Sequence, residues 1–98
     1  MARININRPK IADFCRKNHI KKLALFGSVL REDFKPGSDV DVLVEFEPEH
    51  MPGLGFFSME KELSEIIEHK VDLNTLRFLS PYFQDQVLTE AEPQYVAS

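Results

Sequence analysis

The sequence predicts a small α/β (α+β) layer structure in which helices pack on a small mixed β-sheet. Three observations lead to this class. Short apolar segments typical of strands occur at residues 23–26, 39–46 and 70–73. Amphipathic segments typical of helices precede, separate and follow them. The chain has 98 residues without an internal repeat, so we expect one domain over residues 1–98.

The first two helices are predicted from their apolar periodicity. A helix is expected over residues 9–18, with Asn7 as a suitable N-cap and a proline just inside it. A second helix is expected over residues 56–68. The predicted inner face of the first helix is formed by Ile11, Phe14 and Cys15, and that of the second by Phe56, Met59, Leu63, Ile66 and Ile67.

Three strands with their connections occupy the middle of the chain. We expect a buried strand over residues 23–26, a short helical turn over 28–33, a loop over 34–38, the longest strand over 39–46 and a short strand over 70–73. In the longest strand, alternation places Val40, Val42, Val44 and Phe46 on one face and Asp39, Asp41, Leu43 and Glu45 on the other. Apolar residues on both faces after the second Asp favour an interior position in the sheet.

A third helix is predicted near the end of the sequence. Ser80 is a suitable N-cap and Pro81 suits the first helical position, so the helix should run from there to about Ala91. We expect Pro93 to end it, with the last residues fraying or adding a short edge segment. The residues that this helix is expected to bury are Phe83, Val87 and Leu88.

Composition limits the classes of function. The net charge of −4, from 12 basic and 16 acidic residues, argues against direct nucleic-acid binding through a broad basic surface. No apolar run approaches the ~18 residues of a membrane span, and the N-terminal residues lack the apolar core of a secretory signal. The single cysteine, Cys15, forms no internal disulfide and suits a reducing, cytoplasmic environment. The three histidines, at positions 19, 50 and 69, are scattered without metal-ligand spacing, so we expect surface or helix-end positions for them.

The most informative stretch is Gly27-Ser28, then ten intervening residues, then Asp39-Val40-Asp41. A Gly-Ser turn after a strand lets a ligand approach the backbone, and its N–H groups, the Ser28 hydroxyl and Arg31 one turn on could donate to phosphate oxygens. Carboxylates two residues apart on a strand project to the same face, and their mutual repulsion favours a cation between them. Taken alone, the Gly-Ser turn is also typical of a plain connection from a strand to a helix. The two aspartates, taken alone, are also typical of a solvated strand end.

A third carboxylate would complete a metal-binding group. Asp72 lies between Val71 and Leu73 in a short apolar strand, where a charge is costly unless it is paired or metal-bound. If this strand neighbours the strand over residues 39–46, Asp72 could ligate the ion that holds an attacking hydroxyl and help to take up its proton. The alternative is a capping or edge-strand charge.

These motifs together resemble the minimal nucleotidyltransferases of the DNA polymerase beta-like superfamily, which are antitoxin partners of HEPN-domain ribonuclease toxins. The resemblance covers nearly the whole chain. The segments that carry it are Leu25-Phe26-Gly27-Ser28, Arg31, Ser38-Asp39-Val40-Asp41-Val42-Leu43-Val44, Val71-Asp72-Leu73 and the later Leu79-Ser80-Pro81-Tyr82-Phe83.

The resemblance implies a nucleotidyltransferase fold and a role for each matching residue. Gly27 and Ser28 would hold the β- and γ-phosphates of ATP, Asp39 and Asp41 would bind two Mg²⁺ ions, and Asp72 would complete the catalytic carboxylates. The implied reaction transfers AMP from ATP to a tyrosine of a HEPN toxin and silences it. The implied partner is therefore a HEPN-domain toxin in a hetero-oligomer.

One residue departs from the family pattern, and two other functions are compatible with the sequence. Glu32 stands where many relatives have a small residue, so beside a triphosphate it should point to solvent or pair with Lys35. The chain could instead neutralise its toxin as a catalytically weak binding module that forms a direct complex. A third possibility is nucleotide transfer to an RNA end, which the acidic composition disfavours.

Overall fold

A computed structural model describes residues 4–31, 34–35, 37–50 and 52–97. The described chain forms a four-stranded mixed sheet with three α-helices, which confirms the predicted α/β (α+β) class. The helices are α1 (Arg8–Lys17), α2 (Gly55–Ile67) and α3 (Pro81–Glu90). The strands are β1 (Ile20–Phe26), β2 (Val40–Phe46), β3 (Val71–Asn74) and β4 (Glu92–Val96), and one-turn 3₁₀ helices occupy Gly27–Leu30 and Leu76–Phe78.

The sheet has the strand order β3-β2-β1-β4. β2 pairs antiparallel with β1 and parallel with β3, so its predicted interior position is confirmed. β1 is also interior, because β4 pairs antiparallel with its other edge. β1 begins at Ile20, three residues earlier than the sequence predicts, and equals β2 in length.

Helices α1 and α2 pack on one face of the sheet. The Asn7 side chain caps α1 by accepting a hydrogen bond from the N–H of Lys10, and an ion pair between Lys17 and Glu62 joins the two helices. The predicted inner faces are confirmed, with Phe56 and Ile66 packed against the core as partly buried residues. The core between sheet and helices consists mainly of Ile11, Phe14, Cys15, Leu23, Leu25, Val40, Val42, Val44, Met59, Leu63, Ile67, Val71 and Leu73.

The third helix starts as predicted but buries less than predicted. Ser80 accepts a hydrogen bond from the N–H of Tyr82, which confirms the cap. Val87 is buried, whereas Phe83 and Leu88 are 58% and 52% exposed, so their predicted burial is wrong. The helix lies against the sheet face opposite α1 and α2 and covers it incompletely.

Other differences concern segments between and after the strands. The segment after Pro93 forms the edge strand β4 and does not fray, and a proline is acceptable there because one edge of the strand is unpaired. The predicted helical turn after β1 is the 3₁₀ helix Gly27–Leu30, and the contacts expected of Glu32 lie outside the described residues. Among the described helices, none is both long and apolar enough to span a membrane.

Candidate active site

The site is built where β1 ends and β2 begins. Phe26, the last residue of β1, pairs with Asp41 of β2, so the turn at Gly27 lies directly beside this carboxylate. Gly27 adopts a φ of +76°, which residues with a side chain rarely adopt. A Cβ atom at this position would also lie closer than 3.0 Å to the Asp41 carboxylate. Glycine is therefore required both by the backbone and by the neighbouring acid.

The strand register brings Asp72 next to Asp41. The two residues are direct partners in the parallel β2–β3 pair, at a strand spacing of about 4.8 Å. Val40 and Val71, the preceding pair, point into the core, so Asp41 and Asp72 point to the opposite face. Asp39 precedes β2 by one residue and repels the Asp41 charge from nearby. All three predicted carboxylates are therefore neighbours on one face.

Helix α2 fixes the strand that carries Asp72. The N–H of Val71 donates to the Ser64 hydroxyl at 3.0 Å, and the N–H of Leu73 donates to the Glu60 carboxylate at 2.9 Å. These bonds satisfy N–H groups of β3, which is an edge strand of the sheet formed by the described residues. Because α2 anchors β3 on both sides of Asp72, the position of the third carboxylate is set by the packing of the domain.

Asp41 is the perturbed member of the three carboxylates. The pKa of Asp41 is raised above its usual value, chiefly because burial desolvates the carboxyl group and also because Asp72 and Asp39 repel its charge. The guanidinium of Arg31 acts in the opposite direction and lowers it. Arg31 therefore offsets only part of the desolvation and repulsion at Asp41. Such a set of oxygen ligands fits a hard divalent cation like Mg²⁺.

The two predicted phosphate-binding side chains lie on the turn after Gly27. Ser28 is half-buried, and its carbonyl oxygen accepts a hydrogen bond from the N–H of Arg31 at 2.9 Å. The Arg31 side chain is exposed and lies 3.7 Å from the Glu90 carboxylate of α3. This exposed ion pair is weak, so Arg31 can exchange its partner for a phosphate.

An apolar groove extends the same sheet face beyond the carboxylates. It has a volume of about 230 Å³ and runs between the sheet and α3. Leu43, two residues after Asp41, lies in its floor. The other residues lining it are Lys22, Ala24, Val44, Glu45, Leu76, Leu88 and Ala91. A ligand held by the carboxylates therefore has an adjoining surface on which an apolar group can rest.

A second cluster of ligand-type side chains was missed by the sequence analysis. His19, Glu47 and His50 converge at the opposite end of β2, although the histidines are far apart in the sequence. The available signal was the Glu47-x-x-His50 spacing directly after a strand, which by itself is common. The expected surface positions of His19 and His50 are confirmed, whereas their closeness in space was not predicted.

Comparisons with known proteins agree with the fold. The family model described as "Polymerase beta, Nucleotidyltransferase" matches residues 9–96. A relative from Methanocaldococcus jannaschii, provisionally named a protein adenylyltransferase, is 36% identical over 90 residues, which are 90% of this chain and 96% of that protein.

Two solved structures show the same architecture. One is described as a minimal nucleotidyltransferase, with a TM-score of 0.73, 31% identity and coverage of 88% of this chain and 87% of that chain. Another contains a tri-AMPylated HEPN toxin from Shewanella oneidensis in complex with an MNT antitoxin. Its matching chain has a TM-score of 0.66 and 25% identity over 93% of this chain and 71% of that chain.

The family match spans most of the sequence, and it contains both the glycine turn and the three carboxylates. The fold that surrounds them is the one found in a minimal nucleotidyltransferase. The resemblance drawn from the sequence is thereby confirmed: this chain is a nucleotidyltransferase that belongs to the polymerase beta family.

Proposed function

We propose that this protein transfers AMP from ATP to a tyrosine of a HEPN-type toxin in a Mg²⁺-dependent reaction, and thereby acts as the antitoxin. The observation that carries the proposal is the placement of Asp39, Asp41 and Asp72 on one sheet face beside the Gly27 turn. Metal-binding carboxylates next to a turn open to phosphate are what nucleotidyl transfer requires.

The metal-binding role falls to the three carboxylates. Asp41, which has Asp72 as its strand partner and Asp39 as a nearby charge, would hold the two Mg²⁺ ions together with these two carboxylates. When bound, Mg²⁺ neutralises the triphosphate, lowers the pKa of an attacking hydroxyl and stabilises the leaving oxygen. The raised pKa of Asp41 supports this assignment, because a cation would relieve the repulsion that contributes to it.

Binding of the triphosphate is assigned to the turn after β1. Gly27 has no side chain to block the approach of a phosphate to the backbone. The Ser28 hydroxyl adds a donor, and Arg31 can leave Glu90 to pair with the phosphate charge. These groups would orient the pyrophosphate portion away from the acceptor.

In the proposed reaction, a tyrosine oxygen attacks the α-phosphorus in line with the bond to the β-phosphate. The new O–P bond forms as that P–O bond breaks, and pyrophosphate leaves with the bonding electrons. Asp72 is placed to receive the proton of the attacking hydroxyl, because it is exposed on the face where the acceptor must approach. Burial of the apolar tyrosine ring in the adjoining groove would help to hold the acceptor.

A protein acceptor is favoured over RNA. The relative and the toxin complex described above are named for protein adenylylation, and their acceptors are proteins. The net charge of −4 weakens non-specific attraction to a nucleic-acid acceptor. Labelled RNA offered in place of the toxin should therefore remain unmodified.

A second candidate function is neutralisation of the toxin by direct complex formation. The observation in its favour is the exposed apolar surface of α3, on which Tyr82 is 92%, Phe83 58% and Leu88 52% exposed. Apolar side chains grouped on a surface are typical of contacts with another protein. Docking alone could cover the active site of a toxin without any transfer of nucleotide.

One experiment separates the two functions. Purified chain, a HEPN-type toxin that forms a complex with it, Mg²⁺ and ATP labelled in the α-phosphate are mixed, and label on the toxin and its RNase activity are measured together. We expect Asp39→Ala and Asp41→Ala to abolish labelling and rescue RNase activity. Asp13→Ala, an exposed acid on α1, is the matched control and should label normally.

Two results would count against the proposal. Undiminished labelling by Asp39→Ala would refute the metal assignment. Full inhibition of the RNase in the absence of any nucleotide would favour direct complex formation as the neutralising step.

A further inference from the structure

A group of three metal-ligand side chains lies at the end of β2 remote from the carboxylates. His19 follows α1, Glu47 follows β2, and His50 lies in the turn beyond it. One ligand atom from each residue lies within 4.8 Å of those of the other two. The Nδ1 atom of His19 is 3.8 Å from Oε2 of Glu47, and the two imidazole rings stack with centroids 4.0 Å apart.

The backbone holds these residues together without a ligand. The N–H of Glu47 donates to the carbonyl oxygen of His19 at 2.9 Å, which continues the pairing of β1 with β2. The N–H of His50 donates to the carbonyl oxygen of Glu47 at 3.1 Å, which closes a tight turn. The cluster is therefore set by the end of the sheet, and only side-chain torsions remain to be adjusted.

We propose that His19, Glu47 and His50 form a second metal site, which takes a divalent transition-metal ion such as Zn²⁺. Two imidazoles and one carboxylate are a ligand set that Zn²⁺ uses with bonds of about 2.0–2.2 Å, leaving a position for water. Imidazole nitrogen suits zinc, copper and nickel, whereas Mg²⁺ prefers an all-oxygen set. The site therefore selects a different class of metal from the three aspartates.

Binding requires a small rearrangement of the rings. The planes are only 13° apart, and a metal ion must lie near the plane of each imidazole that binds it. The rings must therefore turn about their Cβ–Cγ bonds, whose torsional preference is broad. All three side chains have room for this movement because they lie at the surface, with His19 and Glu47 side chains 53% and 45% exposed.

The proposed site is separate from the nucleotidyl-transfer site and does not depend on it. Glu47 follows Asp41 by six residues along an extended strand, a separation of roughly 20 Å at about 3.3 Å per residue. An ion here would join the end of α1 to the turn that leads into α2. Its effect would be to stabilise that end of the sheet.

Zinc binding by the untagged chain tests the proposal. Zn²⁺ is titrated calorimetrically into a chain carrying Asp41→Asn, which weakens binding by the carboxylates, and into the same chain with one further substitution. We expect one saturable Zn²⁺ per chain. The affinity for Zn²⁺ should fall about tenfold or more in each of the variants His19→Ala, Glu47→Gln and His50→Ala. Loss of a residue that only hydrogen-bonds to a metal ligand already has an effect of about this size.

His69→Ala is the matched control, because this histidine lies against Phe34 outside the cluster and its loss should leave Zn²⁺ affinity unchanged. Circular dichroism establishes that each variant is folded. An absence of saturable binding, or an affinity that survives His50→Ala, would overturn the proposal. Neither result would bear on AMP transfer, which is measured separately.

Discussion

Replacement of Gly27 by alanine tests how closely the turn and the carboxylate depend on each other. A Cβ atom there would lie less than 3.0 Å from an oxygen of Asp41, whereas ordinary contact begins at 3.4 Å. The oxygen must therefore move by at least about 0.4 Å, the difference between these two separations. Catalytic groups need placement within about 0.5 Å, and a misplacement of 1 Å can cost ~100-fold in rate.

The expected result is a folded but impaired enzyme. The positive φ makes alanine less favourable than glycine by about 1–2 kcal/mol. Alanine also lowers the conformational entropy of the unfolded chain, which offsets about 0.4–1 kcal/mol of this loss. A net loss near 1 kcal/mol lowers the melting temperature of a domain of this size by about 4–8 °C. Labelling of the toxin from α-labelled ATP should fall at least ~10-fold, measured well below the melting temperature.

Gly53→Ala is the matched control for the backbone effect. Gly53 also has a positive φ, of +59°, but a Cβ atom there would meet no atom of the described residues within 4 Å. Its replacement should cost similar stability and leave the transfer rate unchanged. If Gly27→Ala transfers AMP at the wild-type rate, the contact between this turn and Asp41 does not govern the chemistry, and the reasoning fails.

Three further predictions follow from burial and charge. Because the pKa of Asp41 is raised, its ionisation destabilises the fold, so stability should rise as pH falls through that pKa. Asp41→Asn should remove this rise in the free energy of unfolding, as measured by urea unfolding at several pH values. If the variant and the wild type show the same dependence on pH, this prediction is wrong. Leu63→Ala should cost about 2–5 kcal/mol because the side chain is fully buried. Leu88→Ala should change the free energy of unfolding by no more than about 0.5 kcal/mol. If urea unfolding shows equal losses for the two variants, the packing described for these residues is wrong. Burial raises the pKa of Cys15 to about 12, so Ellman's reagent should react with it only in denaturant, and rapid reaction of the native chain would refute this.

Local sequence signals predicted the elements that pack on the core. The Asn7 cap and the apolar stripe of α1 are both present, because a helix is fixed by capping and periodicity within a few residues. The alternation in β2 also predicted which of its side chains share a face. Such signals need no knowledge of the rest of the fold.

Long-range pairing was less accessible to sequence reasoning. The carboxylates of Asp41 and Asp72 become neighbours only because β3 lies parallel to β2 in register, which neither segment specifies alone. β4 was predicted only as one of two outcomes, since Pro93 weakens its strand signal and its partner is β1, far back in the sequence. The pairing of His19 with His50 depends on the same distant connections.

The faces of α3 were mispredicted for a different reason. Apolar periodicity indicates which side of a helix could be buried, but it does not indicate whether the fold supplies a surface to cover that side. Val87 is covered by the fold, whereas Phe83 and Leu88 stay largely exposed. An apolar stripe that the chain itself leaves exposed is the pattern expected of a helix that binds a partner.

The arrangement of β2 explains how a repulsive cluster of acids can persist in the absence of a ligand. Val40 and Val42 on its core face pair with Val71 and Leu73 of β3, and all four are buried. A slip of one residue would expose these apolar side chains to water, so burial on one face fixes the register on the other. The repulsion around Asp41 is therefore tolerated because the same register that places the carboxylates together also builds the core. It follows that core substitutions that loosen this register should impair nucleotidyl transfer even though all three carboxylates are still present.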